Sequence, residues 1–301
     1  MTTLSKKIDF AVIVTVQHAN PNGDPLNGNR PRVTYEGYGE ISDVAIKRKI
    51  RNRLQDMGHR IFVQSDDNRV DNYGSLRERA EGTLKGVDPK DKEKYKKAAC
   101  ETWLDVRAFG QVFAFKAKKG KKSEGEEDSE GVSIGIRGPV SIHPAFSVAT
   151  VLDRAPSIQI TKSVSGEPGE KRGPDTMGMK HRVDHGVYVF YGSMNPQLAS
   201  KTGFSDEDAQ AIKEALRTLF VNDESAARPA GSMTVYKVYW WEHNSKNGQY
   251  SSAKVHNAVR NKVSVREGIT EPKSIDDYVF PSKEEVEKEL PGLKCEVLDG
   301  E

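Results

Sequence analysis

The sequence predicts an α+β fold whose elements run strand, helix, strand, strand, helix, strand, the ferredoxin-like order. Three stretches carry that prediction. Ile8–Val16 (IDFAVIVTV) is short, β-branched and bounded by a turn cluster, as a buried strand is. Ser205–Val221 spaces Ile212, Ala215, Leu216, Leu219 and Phe220 at helical intervals, behind Ser205 and Asp208 at the spacing of a capping box. Met233–Trp241 (MTVYKVYWW) supplies a late strand rich in aromatic and β-branched residues.

The other elements fall between these. Residues 41–57 form a helix with Ser42 or Asp43 as N-cap and an apolar stripe of Ile41, Val44, Ala45, Ile50, Leu54 and Met57. Gly58 then stands in the favoured C′ position. Residues 59–104 are charged and weakly patterned, with a lysine-rich helical piece, KDKEKYKKAACETWL. Asp105–Phe115 (DVRAFGQVFAF) reads as a strand. The tract 116–131, made of Lys, Glu, Gly and Ser, reads as a mobile loop because it cannot bury enough apolar surface to order itself. Val132–His143 is a second strand signal. The stretch 153–182, rich in Gly, Pro, Lys and Arg, reads as a long hairpin excursion, and Val183–Tyr191 is again a strand. Residues 243–301 read as an irregular acidic tail with a short helix at Ser282–Leu290. The resulting order is the one shared by RRM-type RNA binders, interrupted by insertions.

With 301 residues the chain can bury a substantial core, as one domain carrying insertions. Its net charge of +2 hides a division: residues 276–301 hold nine acidic and three basic residues, a net of −6, against +8 for residues 1–275. A basic body suggests a polyanionic partner; the acidic tail suits solubility or docking on a basic neighbour. Two distant cysteines fit a reducing compartment, and the apolar run at 10–16 is too short to span a membrane, so a cytoplasmic protein is expected.

Asn20–Met57 is the stretch with chemical promise. Its loop (NPNGDPLNGNRPR) can turn tightly and leave backbone N–H groups facing an anion, and the helix that follows carries Lys47, Arg48, Lys49, Arg51 and Arg53. A solvated helix face after a surface loop is the alternative. Other chemistries find less support. Arg107–Phe115 (RAFGQVFAF) echoes the RNA-stacking strand of RRM domains, but Gln111 and Ala114 replace the stacking aromatics. His181 and His185 flank Asp184 but lack the helical setting of a zinc motif, and no phosphate loop of the Gly-Lys-Ser/Thr kind exists. A metal-free ribonuclease could be assembled from His18 or His181 with Lys47, and Asp24 could position an attacking group, though no spacing demands it. No cofactor is expected.

The same residues carry a resemblance. NPNGDPLNGNRPR followed by GYGEISDVAIKRKIRNRL resembles the N-terminal signature of the backbone subunit of CRISPR Cascade in its type I-C (Dvulg) form, the Cas seven / Csd two family. DVRAFG at 105–110, RGPVSIH at 137–143, TMGMKHRVDHGVYVFYG at 176–192, TGFSDEDAQAIKEAL at 202–216 and SAAR at 225–228 extend it. The 116–131 tract and the acidic tail depart from the pattern.

The resemblance implies a hand-shaped subunit with an RRM-like palm, a finger insertion at 59–104 and a thumb hairpin at 153–182. It implies a non-enzymatic scaffold whose copies polymerise along one crRNA and present the spacer for pairing with target DNA. The implied partners are a crRNA-processing subunit, large and small subunits and a recruited helicase-nuclease, with no membrane. Type III backbones, by contrast, cleave target RNA with a loop aspartate, which makes Asp24 the residue of a metal-dependent endoribonuclease alternative. The RNA-binding residues expected are Asn20, Asn22, Gly23, Arg30, Arg32, Lys47, Arg48, Arg51, Arg137, Arg172, Met177, Lys180 and His181.

Overall fold

The computed structural model describes residues 2–115, 131–151, 157–161 and 177–301. The chain opens with β1 (Ile8–Ala19), a small loop ladder of β2 (Gly23–Asp24) and β3 (Arg30–Pro31), then β4 (Tyr38–Ile41) and α1 (Asp43–Asp56). Next come α2 (Leu76–Thr83), α3 (Lys92–Thr102), α4 (Leu104–Phe109) and the hairpin of β5 (Gly110–Phe115) with β6 (Val132–Arg137). They are followed by β7 (Val140–Ile142), β8 (Ala145–Thr150), β9 (Ser157–Thr161), β10 (Met177–His181) and β11 (Val183–Met194). The last part holds α5 (Pro196–Thr202), α6 (Asp206–Arg217), β12 (Met233–Glu242), α7 (Ser252–Arg260), β13 (Ser264–Val265), β14 (Tyr278–Val279), α8 (Lys283–Glu289) and β15 (Cys295–Asp299).

One antiparallel sheet organises these pieces. Its order is β15-β12-β1-β11-β8-β4, antiparallel at every junction, with β7 also on β11. β1 lies between β11 and β12, with Ile8 opposite Met194 and Ala19 opposite Val183. Side chains alternate along a strand, so Phe10, Val12, Val14 and Val16 share one face. They pack there with Ile46, Ile50 and Leu54 of α1 and Ala209, Ile212 and Leu216 of α6. Ala11 and Ile13 point to the other face, against Val255 and Val259 of α7 and Val286 of α8. Both faces are covered, which is why β1 is apolar without alternation.

That second layer corrects the expectation of an irregular tail over 243–301. Its apolar residues are too widely spaced to show a local period, yet Tyr278, Leu290, Leu293 and Cys295 are all buried against the sheet. Its acids pair with cations of the same chain: Glu289 meets Lys262 within the layer at 2.9 Å, while Asp299 meets Lys237 at 2.9 Å, Glu301 meets Arg217 at 3.1 Å, and Glu296 pairs with Lys213. The basic neighbour on which the tail docks is its own chain.

A separate aromatic cluster holds residues 59–115 together with 131–137. Phe62 lies 4.7 Å from the ring of Trp103 and 5.1 Å from that of Phe113, with Tyr95 closing the group. The insertion expected at 59–104 therefore shares its core with β5 and β6. The strand expected over 105–115 is half helix. Leu104 and Ala108, one turn apart, face the main core while Val106 faces the aromatic cluster, so helical spacing imitates strand alternation. Gly110 (φ 81°) ends the helix where a Cβ would stand 2.3 Å from the Ile136 carbonyl oxygen. The strand signal at 132–143 divides into β6 and β7 around Gly138 and Pro139. β4, β8 and α5 had no counterpart in the sequence pattern.

The hairpin reading of 153–182 meets a β9–β10 ladder in which Met177 opposes Thr161 and His181 opposes Ser157. The tip of that excursion, including Arg172, lies outside the described residues, as does the 116–131 tract up to residue 130. No helix among the described residues is long and apolar enough to cross a membrane.

The C-terminal layer is pinned to β1 by one buried carboxylate. Asp9 is fully buried and accepts a hydrogen bond from His243 Nε2 at 2.8 Å, with Lys7 Nζ 3.1 Å away. Gln249 N donates to His243 Nδ1, which fixes the proton on Nε2. Burial acts to raise the Asp9 carboxyl, but hydrogen bonds from His243 and Ser252 and the charge of Lys7 hold it below the usual range. Removing one partner of a buried charged group leaves the others uncompensated. Asp9→Ala is expected to destabilise the chain by on the order of 3 kcal/mol in urea unfolding; a loss near zero would show that the layer is held by apolar packing alone.

Candidate nucleic-acid interface

The loop after β1 is stapled at each turn. Asn20 is buried; its amide donates to the Asn29 carbonyl oxygen at 2.7 Å and its backbone N–H to Ala227 at 2.9 Å. Asn22 Oδ1 accepts from Ser42 N at 2.9 Å, while Ser42 Oγ caps α1 by accepting from Ala45 N. A Cβ on Gly23 would stand 1.9 Å from Asn29 Oδ1, so no other residue fits there without moving Asn29. Asp24 accepts from Leu26 N at 3.1 Å, which commits this carboxylate to capping the short 3-10 turn Pro25–Asn27.

Behind this loop lies an open cleft of about 420 Å³. Pro21, Asn22 and Gly23 form one wall, and α1 supplies Ala45, Arg48, Lys49 and Asn52. Ser65, Asp67 and Asn68 form a second wall, and Asn222–Ser225 with Arg228 the third. Four segments thus meet at one place, with three cations among them.

The cations differ in their surroundings. Arg48 donates to the Val63 carbonyl oxygen at 2.6 Å; burial, and secondly the nearby Arg51, hold its guanidinium below its ordinary range. Lys49 is buried, paired with Asp223 and 5.3 Å from the Phe220 ring centroid. Burial pushes its ammonium down to about 8, against the attraction of Asp223 and with the repulsion of Arg228. Arg228 Nε stands 3.4 Å from the same Asp223 oxygen.

The expected RNA-binding residues separate on this geometry. Asn22, Gly23 and Arg48 line the cleft, and Asn20 lies beneath its loop. Arg32 faces Glu40 at 3.8 Å and Asp24 at 4.0 Å, and Arg30 is exposed beside His181. His181 is buried, and its imidazole is pushed down first by burial and then by Arg30. Lys180 opposes Ile158 in the β9–β10 ladder, whose Met177 opposes Thr161. Lys47 instead pairs with Asp43 at 3.0 Å, off the cleft. Arg51 reaches Asp105 at 2.9 Å, and Asp105 in turn accepts from Phe62 N and Val63 N. That geometry makes Arg51 a structural link between α1 and the aromatic cluster. Arg137 is exposed in the β5–β6 ladder opposite Gly110, away from the cleft lining.

Lys49 stood in the expected basic row of α1 but outside the expected RNA-binding set, and Asn52, Ser65, Asp67, Asn68 and the acidic pair Asp223 and Glu224 were not expected. Lys49 could have been found from period alone, since it follows the buried Ile46 by three positions. The walls at 65–68 and 222–228 have no local signature beyond the SAAR motif. Among the described residues, no group of three His, Cys, Asp or Glu side chains could hold a metal ion.

A family model described as CRISPR-associated protein Cas7 matches residues 6–283. A curated relative, CRISPR-associated protein Cas7 of Haloferax volcanii, is 30% identical over 219 residues, covering 70% of this chain and 63% of the relative. The chain thus spans less than two thirds of that relative's length. A chain of a solved CRISPR RNA-guided surveillance complex, pre-nicking, aligns with TM-score 0.48 and 14% identity over 94% of this chain and 87% of its own. Another, from a CRISPR RNA-guided surveillance complex, gives TM-score 0.38 and 16% identity over 78% and 68%.

Lys49 gives the cleft a pH signature. Below about pH 8 the folded and unfolded chains both hold its proton; between about 8 and the ordinary 10.5 only the unfolded chain does. The unfolded state then binds more protons, so stability rises with pH across that window. Urea unfolding of the protein and of Lys49→Met is expected to show their stability difference shifting in favour of the unsubstituted chain by on the order of 2 kcal/mol from about pH 8 to about pH 10. A constant difference would contradict the burial of a charged Lys49.

Proposed function

The chain belongs to the CRISPR-associated Cas7 family, and we propose that it is the crRNA-binding backbone subunit of a type I-C Cascade surveillance complex in antiviral defence. Copies of it would line up along one crRNA in the cytoplasm and hold the spacer open for target DNA. The remaining Cascade subunits and a recruited helicase-nuclease would complete the complex. In this reading the chain is a scaffold and its partners do the cutting.

The observation that supports this best is the convergence of Asn22, Gly23, Arg48, Lys49 and Arg228 on one open cleft. Cations, amides and backbone N–H groups suit phosphates and sugars, which are the same in every spacer. Among the described residues lining the cleft there is no aromatic ring to stack on a base. A subunit that must accept any guide sequence gains from that neutrality, because the base edges stay free for pairing.

The proposal also gives the fold a hand-like division. The strands β12-β1-β11-β8 with α1 and α6 would be an RRM-like palm, the aromatic cluster of residues 59–115 and 131–137 a finger, and β9–β10 the base of a thumb. Arg30 and His181, which adjoin, would place the thumb base beside the N-terminal loop.

Arg48→Ala combined with Arg228→Ala is expected to weaken binding of unrelated RNA sequences alike, by about tenfold or more, and to make the salt dependence shallower by roughly one power of salt concentration. Fluorescence anisotropy with labelled RNAs over a salt series measures both. One sequence suffering far more than another would mean that bases are read, contrary to the proposal.

A further inference from the structure

Glu224 is at odds with a cleft that holds phosphate alone. The cleft's other acid on the same segment, Asp223, is neutralised by Lys49 and Arg228. Glu224 lines the same space and is exposed, and among the described residues it has neither an ion pair nor a hydrogen bond. The backbone on either side of it is held in a turn. Asn222 before it takes the left-handed conformation (φ 59°), and after it Ser225 N donates to the Arg228 carbonyl oxygen at 2.8 Å while Arg228 N donates back to Ser225 at 3.0 Å. A carboxylate beside a phosphate would repel it, and among the described residues no cation pairs with Glu224 to offset that cost.

A ribonucleotide does offer an offset. An ionised carboxylate only accepts hydrogen bonds. Along the sugar–phosphate backbone of RNA the one donor is the ribose 2′-hydroxyl, the group by which proteins tell RNA from DNA. Asn52 and Asn68 share the lining and carry amide N–H donors. Building on the nucleic-acid reading above, we infer that the cleft takes a ribose–phosphate unit, with Arg48 and Arg228 on the phosphate and Glu224 accepting from the 2′-hydroxyl. The cleft then selects RNA over DNA without reading any base.

The test uses the full chain and three strands of one sequence: RNA, its 2′-fluoro form and its 2′-deoxy form. The 2′-fluoro strand keeps RNA-like sugar geometry but has no hydroxyl proton, so it separates hydrogen bonding from helix shape. Unsubstituted protein is expected to bind RNA about tenfold more tightly than the 2′-fluoro strand, the effect of one hydrogen bond to a charged group. Glu224→Ala should reduce that ratio below about threefold, leaving the 2′-fluoro strand bound as well as before or better once the repulsion is gone. Glu224→Gln, of equal shape, should fall between and guards against a folding defect. Equal binding of RNA and 2′-fluoro RNA by the unsubstituted protein would overturn the inference. So would a Glu224→Ala variant that weakens both strands by one factor. Arg48→Ala with Arg228→Ala should weaken both strands alike; if it weakens neither, the nucleic-acid reading of the cleft itself fails.

Discussion

Strand β1 is buried on both faces, and much of the molecule follows from that constraint. Phe10, Val12, Val14 and Val16 require α1 and α6 on one side, while Ala11 and Ile13 require the C-terminal layer on the other. An open RRM sheet would offer its bare face to nucleic acid. Here α7 and α8 occupy one face of the sheet, so in the proposed reading RNA would be met at the strand ends, by the loop that leaves β1 and the helix that follows it. The buried Asp9, with His243 and Lys7, ties the covering layer to the same strand. The sheet's role is to place a loop, and the loop's role is to shape the cleft.

Within the cleft the balance of charge decides what can bind. A dense row of lysines and arginines on α1 suggests a uniform basic face, but the row is divided by the fold. Lys47 and Arg51 are spent on Asp43 and Asp105, whereas Arg48 and Lys49 reach the cleft. Lys49 is buried next to Asp223, so its charge is expensive to keep and sensitive to whatever enters. An anion arriving there would favour the protonated form. The cleft is therefore less a positive surface than a set of partly satisfied polar groups arranged at fixed distances.

The strands β1, β11 and β12 and the helices α1 and α6 were legible in the sequence, the strands as apolar runs covered on both faces and the helices as apolar stripes facing one core. Ser42 caps α1, and Ser205 and Asp208 form the capping box of α6, where the spacing placed them. The errors have physical causes. At 104–108 two different cores take residues from one helical turn, and the outcome mimics a strand. At 243–301 the apolar residues are isolated in sequence, and only the sheet beneath them makes them a layer. The cleft was half legible: Asn22, Gly23 and Arg48 lie in one continuous motif, but Asn68, Asn222 and Glu224 become neighbours only through tertiary packing. Arg51 looked like its neighbours in sequence, and only the position of Asp105 shows that it is structural.

The proposed role of this chain is to hold guide RNA along its length without regard to sequence. Its most direct test is to purify the full chain from cells expressing a CRISPR array, and to record the ratio of nucleic-acid to protein absorbance and the length distribution of the extracted strands. A raised ratio with ribonuclease-sensitive RNA of one defined length, carrying many different spacers, is expected. Protein free of nucleic acid, or bound only to RNA of random length, would contradict it.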